Sequence, residues 1–404
     1  MKIKNCAVKL LRGDAWLHHT ASGYKVRMNR EGLETLKSMA ARRSEAEMTA
    51  NERLIYGKLA AKGMAGPDTA LPRDRAIPIK SSSLLESVEL EFSGRCNLRC
   101  AHCFAALSGR DLAHGTLEKV FKGIDALEPV TLALTGGEPL LSPLLPAALE
   151  MAEARHLRVV ITTNGTLVEA STAELLARRG VAKAVVSLDF FEDTHDALRG
   201  KGSFGRAVAG IKLLVARGVP VSITAMVQES TAGRLDEFQK FCLQELGASG
   251  IRYSSVMPIG RAEGRPELGL AGGKIAELFS KGAISASGGS ERAFSRLAGE
   301  RTFYCGAGVG ECFVSADGKV YACHYFQNLD EAMGDLSDRS LEEIYRSYPS
   351  SGAAAVDFDW EGLKECRACV HFSACRGGCR ARARLLGGGW HAPDEYSCCI
   401  HGLR

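Results

Sequence analysis

The sequence has no run of about eighteen apolar residues, so it offers no membrane-spanning helix. It has little surplus charge. Its 51 Lys and Arg stand against 47 Asp and Glu, a net +4, and no strong field for nucleic acid follows. The opening Met1-Lys2-Ile3-Lys4-Asn5-Cys6 lacks the apolar core of a secretory signal, so a cytoplasmic protein with no membrane partner is expected. No repeat of solenoid length is visible beyond an alternation of strands and helices. What is present is length, core and sulfur. With 404 residues, 46% of them hydrophobic, the chain can build two or three domains. It also has 14 cysteines. In a large chain without a leader, metal ligation in a reducing compartment accounts for them better than disulfides do.

Three of the cysteines, Cys96, Cys100 and Cys103, share one short loop just after the strand-like run Ser87-Val88-Glu89-Leu90-Glu91-Phe92. Three thiolates there can hold three irons of a 4Fe–4S cube and leave the fourth iron open to a small chelating molecule. Zinc also takes thiolates, but structural zinc asks for four protein ligands. A cysteine triplet after a first strand resembles the radical S-adenosylmethionine (SAM) superfamily. The resemblance implies a cluster whose open iron chelates SAM, and reductive cleavage of SAM to a 5′-deoxyadenosyl radical that takes hydrogen from a substrate.

Residues 84–300 alternate between strands and helices in six βα units. Near-continuous apolar strands between helices predict parallel strands covered on both sides. The fold class expected is α/β, a partial (β/α)6 TIM barrel with its site at the C-terminal strand ends. Ahead of it, residues 1–83 read as a small α+β unit followed by a Pro-rich linker from Asp68 to Ser83. Cys6–Leu10, Ala15–Leu17 and Tyr24–Met28 form a β-meander, Glu31–Ala41 and Glu45–Lys62 form helices, and Gly63 is a candidate C-cap. This unit resembles the winged-helix-like domain that takes a leader peptide as an added strand in enzymes modifying ribosomally made peptides. A plain N-terminal cap is the alternative reading. A DNA-binding helix-turn-helix has only Arg42 and Arg43 to support it.

Motifs at the strand ends extend the resemblance. Thr135-Gly136-Gly137-Glu138-Pro139 follows the second strand. Its glycines permit close backbone approach to a ligand. The family's matching run binds the SAM amine, which implies that role for Gly136, Gly137 and Glu138. Thr163-Asn164-Gly165 follows the third strand and resembles the family's Thr-Asn-Gly, which implies a place near SAM for Asn164; alone it is a turn signal. Ser187-Leu188-Asp189, His195-Asp196, Arg199-Gly200 and Gly202-Ser203-Phe204 resemble the pattern of peptide-modifying members, in which Ser187 and Arg199 would hold the SAM carboxylate. Phe190 stands where the family usually has Gly. Met257-Pro258-Ile259-Gly260-Arg261-Ala262 resembles a run near the adenine, and equally reads as a turn with a solvated Arg261.

Residues 301–404 hold Cys305, Cys312, Cys323, Cys366, Cys369, Cys375, Cys379, Cys398 and Cys399. Their spacing resembles the SPASM extension, which carries two auxiliary 4Fe–4S clusters. The resemblance implies Cys305, Cys312, Cys323 and Cys379 for one, and Cys366, Cys369, Cys375 and Cys398 for the other, with Cys399 as the alternative to Cys398. A pair of four-thiolate zinc sites is the competing reading. His324 follows Cys323 and is a candidate proton acceptor, or else a packed imidazole. The expected cofactors are SAM and three 4Fe–4S clusters. The expected partners are a precursor peptide with a leader and a reductant such as flavodoxin or ferredoxin, and no nucleic acid. The expected reaction is a thioether or other crosslink. Formylglycine formation, as in anaerobic sulfatase maturases, is the second reading, and a non-catalytic zinc-binding interaction protein the third.

Overall fold

The computed structural model describes residues 2–3, 6–11, 14–19, 25–41, 45–62, 64–66, 79–80, 83–280, 306–348, 360–375, 377–386 and 388–403. Its centre is a run of six parallel strands. These are β7 (Ser87–Ser93), β8 (Thr131–Gly136), β9 (Arg158–Thr163), β10 (Lys183–Ser187), β11 (Val221–Val227) and β12 (Gly250–Ser255). Each adjacent pair is bridged by a helical segment, as a parallel sheet requires. Helices α3 (His114–Leu127), α4 (Leu145–Ala154), α5 (Ala170–Arg178) and α7 (Ser203–Ala216) press Phe121, Leu149, Leu176 and Ile211 against one face. Burial alternates along the strands. In β9, Val159, Ile161 and Thr163 are buried, while Arg158, Val160 and Thr162 are half-buried.

The expectation of strands covered on both sides is corrected here. The face away from these helices carries polar side chains. One rung of it runs Glu89, Ala133, Val160, Lys183 across four strands. A six-stranded partial barrel leaves this inner face partly open, so polar residues can stay there.

The sheet does not stop at the expected boundary between residues 300 and 301. Strand β13 (Glu311–Val314) pairs in parallel with β7, and β14 (Lys319–Tyr321) and β15 (Gly334–Asp335) continue antiparallel. The Asp317-Gly318 turn between β13 and β14 has the expected place, with Gly318 at φ 93°. Of the stretch Gly269–Gly289, Gly272–Ser280 is helical and residues 281–300 lie outside the described residues.

The N-terminal unit is a meander of β2 (Cys6–Leu11), β3 (Asp14–His19) and β4 (Lys25–Met28), packed on α1 (Arg30–Ala41) and α2 (Ala50–Ala60). The second helix starts later than expected because Thr49 and Glu52 form a capping box. Gly63 and most of the expected linker lie outside the described residues, but Ile79–Lys80 adds to β2 as a parallel strand. This unit is fastened to the barrel by a buried lysine. Lys9 is fully buried, and its Nζ donates to the carbonyls of Glu128 (2.8 Å) and Leu127 (3.4 Å) at the C-terminal end of α3. A cation there also answers the negative end of the helix dipole. Lys25 pairs with Glu86 beside it. Among the described residues no helix is long and apolar enough to cross a membrane.

Candidate active site and cysteine centres

The loop after β7 is held on every side. Gly137 N–H donates to the Ser93 carbonyl and Glu138 N–H to the Arg95 carbonyl, both at 2.8 Å. Ala101 N–H donates to Leu198 O (2.7 Å), and Arg261 N–H to Cys103 O (2.9 Å). Arg261 Nη1 reaches Cys100 O at 3.2 Å, so the Met257–Ala262 run clasps this loop and Arg261 is not merely solvated. Asn97 joins Asn164 and Thr166 in a ring of side-chain bonds of 2.6–2.9 Å. Cys96, Cys100 and Cys103 are thereby brought close enough that their charges oppose one another. Burial pushes the thiols of Cys96 and Cys100 up, so a positive group is needed to hold them as thiolates.

The glycines of the second strand end meet a further requirement. A Cβ on Gly136 or Gly137 would run into the carbonyls of Ser93 and Arg95. What they let approach is the cysteine loop itself. Glu138 is fully buried, and its carboxylate accepts from Thr163 Oγ1 (2.6 Å), Asn164 N–H (2.8 Å) and Leu140 N–H (3.2 Å). That uses three of about four acceptor positions on a carboxylate. Burial nevertheless raises its pKa to about 6.

Arg199, at the end of α6 (Glu192–Arg199), is buried and turned toward the same loop. Its Nε donates to Asp189 Oδ2 at 2.6 Å, its Nη1 lies 3.8 Å from Cys100 Sγ, and its Nη2 lies 3.3 Å from His102 Nε2. Burial works against the charge of Asp189, but Arg199 and His102 outweigh it and hold the carboxyl below its usual range. Asp189 also accepts from Met226 N–H, and its own N–H donates to His195 Nδ1. Ser187 ends β10 on the inner face, beside Thr224. Phe190 takes the conformation a glycine would take, with φ 59°, and stacks fully buried on Phe238. The exchange keeps the turn and adds an aromatic core.

In the C-terminal part, Cys366, Cys369, Cys375 and Cys398 line one cavity of about 210 Å³. Cys399 does not line it. Cys323 and Cys379 both lie near Tyr325. Cys312 shares a rung with Val88, on the buried face of β13, and burial pushes its thiol to about 12. Cys305 lies outside the described residues. A buried ion pair orders this region: Arg382 Nε donates to Asp394 Oδ1 at 2.7 Å, while Asp394 accepts from Cys379 N–H (2.9 Å) and Ser397 Oγ (2.6 Å). Among the described residues no three His, Cys, Asp or Glu side chains gather tightly enough to hold one metal ion. The donors are soft thiols grouped around larger spaces, which suits a polynuclear iron–sulfur group.

Residues 90–242 match the model of the Radical SAM superfamily, and residues 305–370 match SPASM, an iron–sulfur cluster-binding domain. The chain therefore carries a radical SAM domain followed by a SPASM domain. It is similar to the mycofactocin maturase MftC of Mycobacterium ulcerans, 27% identical over 327 residues that cover 77% of this chain and 87% of that protein. It is equally similar to the AdoMet-dependent heme synthase of Methanosarcina barkeri, 29% identical over 343 residues, 77% of this chain and 95% of that one. In fold it resembles Streptococcus suis SuiB, solved bound to the precursor peptide SuiA, with a TM-score of 0.68, 14% identity, and coverage of 98% of this chain and 99% of that one.

His324 sits where these two domains meet. Its Nδ1 is 3.1 Å from Glu89 Oε2, and its ring lies against Phe104 of the cysteine loop and Tyr325. Burial lowers its pKa, but the carboxylate of Glu89 outweighs that and the net shift is upward. The sequence reading did not assign Glu89, Asp189 or His102 to the site. Two glutamates in a parallel strand, Glu89 and Glu91, were the signal for the first.

Proposed function

We propose that the protein modifies a ribosomally made precursor peptide by radical chemistry, forming a thioether or another crosslink. The observation that carries this is the pinned triplet Cys96, Cys100 and Cys103, opening toward an inner barrel face with His324 and Glu89 upon it. Cys96, Cys100 and Cys103 would hold a 4Fe–4S cluster, which with SAM would supply the radical chemistry that removes hydrogen from a carbon of the substrate. The backbone of Gly136 and Gly137, with Asn164 and Ser187, lines the SAM position. Glu138 orders the Asn164 turn, and Arg199, donating toward Cys100, supplies the positive charge the thiolates need. One auxiliary cluster takes Cys366, Cys369, Cys375 and Cys398, a choice supported by the cavity they share. The other takes Cys305, Cys312, Cys323 and Cys379. Closing the crosslink on the substrate radical releases one proton and one electron; His324, held by Glu89, would take the proton and an auxiliary cluster the electron.

Residues 1–83 would bind the leader, residues 84–300 carry the barrel and residues 301–404 the auxiliary clusters. A small reductant such as flavodoxin or ferredoxin supplies electrons in a cytoplasmic setting. The names of the relatives support both a peptide and a tetrapyrrole substrate. The N-terminal unit, which the fold shares with a peptide-bound protein along its whole length, favours the peptide. The test is anaerobic reconstitution with iron counting and SAM cleavage, on wild type and Cys96→Ala. About twelve irons per chain, with 5′-deoxyadenosine formed by wild type alone, supports the reading. Zinc in place of iron, or no cleavage, overturns it.

A further inference from the structure

The inner face of the barrel carries a row of cations that no acid answers. Arg158 begins β9, Lys183 begins β10 and Arg252 lies within β12. Register places all three on one face. Lys183 and Ser187 alternate on the same side of β10, Ser187 pairs with Thr224, and Thr224 pairs with Arg252. Lys183 pairs with Val160, two residues from Arg158 on β9. Lys183 lies within electrostatic reach of both Arg158 and Arg252, whose charges add to burial in lowering its pKa. Arg158 Nε is buried and has no hydrogen-bond partner. Among the described residues none of the three side chains is in an ion pair. Of the acids on this face, Glu311 stands on the far side of β7, sharing a rung with Ser87. Glu89 holds His324, and Glu91 accepts from Ala316 N–H at 2.8 Å.

The row also connects two ends of the molecule. Arg158 lies near His19 of the N-terminal unit, and Arg252 near His324. Arg158 and Lys183 are half-buried and Arg252 is exposed; a buried Nε without a partner is costly, and like charges side by side add to the cost. A fold keeps such an arrangement where something anionic is to be received. The place and reach of the row, from the N-terminal unit to His324, suit an extended chain.

We propose that Arg158, Lys183 and Arg252 form a carboxylate-binding row that seats an acidic segment of the peptide substrate inside the barrel. This rests on the peptide reading above and specifies which peptide. The carboxylates can come from Asp or Glu side chains or from a C-terminus. Either would bind through charge-assisted hydrogen bonds, with the arginines able to engage both oxygens.

The test uses the full-length reconstituted protein and three fluorescein-labelled decapeptides in an anisotropy titration. One is Ala/Glu with an amidated C-terminus, one is Ala/Gln amidated, and one is Ala/Gln with a free C-terminus. The expected result is that a carboxylate-bearing peptide binds about 10-fold or more tighter than the amidated Gln peptide. The Glu peptide or the free-acid peptide then identifies the source. The Lys183→Met, Arg252→Gln double variant abolishes the preference, and Lys183→Glu shifts it toward a Lys peptide. Iron content and circular dichroism confirm that the variants fold. Charge-blind binding by wild type, or a preference that survives in the double variant, overturns the carboxylate row and leaves the peptide reading standing. No binding of any peptide overturns both.

Discussion

Arg199 and Arg158 are two arginines of the same barrel with opposite surroundings. Arg199 is buried against Asp189, touches Cys100 and faces His102. Arg158 has a buried Nε with no partner and further cations beside it. The first arrangement fixes a loop in one geometry. The second leaves a deficit that a ligand can fill. A second fixed pair repeats the first pattern: Arg382 and Asp394 stand behind Cys379 as Arg199 and Asp189 stand behind Cys100. Cysteine centres in this chain are thus backed by closed ion pairs, while the inner barrel face is left open.

The sharpest way to break the comparison is Asp189→Asn. It turns Arg199 into an unpaired buried cation, and a loss of about 3–5 kcal/mol is expected in denaturant unfolding, together with lowered iron uptake. Phe190 follows Asp189, and Phe190→Ala should cost about 3–5 kcal/mol through the cavity left between Phe238 and Tyr253. Phe190→Gly should cost less than Phe190→Ala, by roughly 1 kcal/mol, because glycine carries no penalty at positive φ. The reverse order in thermal melts would show that the left-handed turn stores no strain.

Acid should loosen the closed end. His195 is buried, its pKa is depressed to about 4, and its Nδ1 accepts from Asp189 N–H. The unfolded chain binds this proton near pH 6.5 and the folded chain only near 4. Stability from this group is therefore present above pH 6.5 and falls as pH drops toward 4. His195→Asn keeps an acceptor for the Asp189 amide and should flatten that part of the melting-temperature profile. The smallest effect is expected at the open end and has the opposite sign. Arg158→Met removes a half-buried charge that is in no ion pair and should leave stability unchanged or raise it by about 1 kcal/mol. A loss as large as that of Asp189→Asn would mean that Arg158 has a structural partner, and would remove the contrast.

Much of this was legible in the sequence. Apolar strand runs alternating with helical stretches located six βα units to within a few residues, although they overstated how far the inner face is covered. Cysteine spacing grouped the thiols because a short loop can bring its own side chains together. What spacing could not decide was Cys398 against Cys399. Neighbours on the helix Glu395–Ile400 point about 100° apart, and only the packed helix shows which one enters the cavity. The Asp189–Arg199 pair was also hidden. The motif suggested an arginine free for a ligand, whereas the turn at Phe190 delivers Asp189 to it first. The pairing of β13 with β7 is a long-range contact that no local pattern announces.

That pairing has a consequence for how the protein is made. Glu91 of β7 accepts a hydrogen bond from Ala316, 225 residues further along the chain. While the ribosome is still delivering the intervening residues, the outer edge of β7 has no neighbour. Closing so long a loop is slow. The hydrogen bonds that hold the cysteine loop come from residues up to Arg261, so the triplet can be gathered first, and the packing of Phe104 on His324 and Tyr325 joins it to the later chain last.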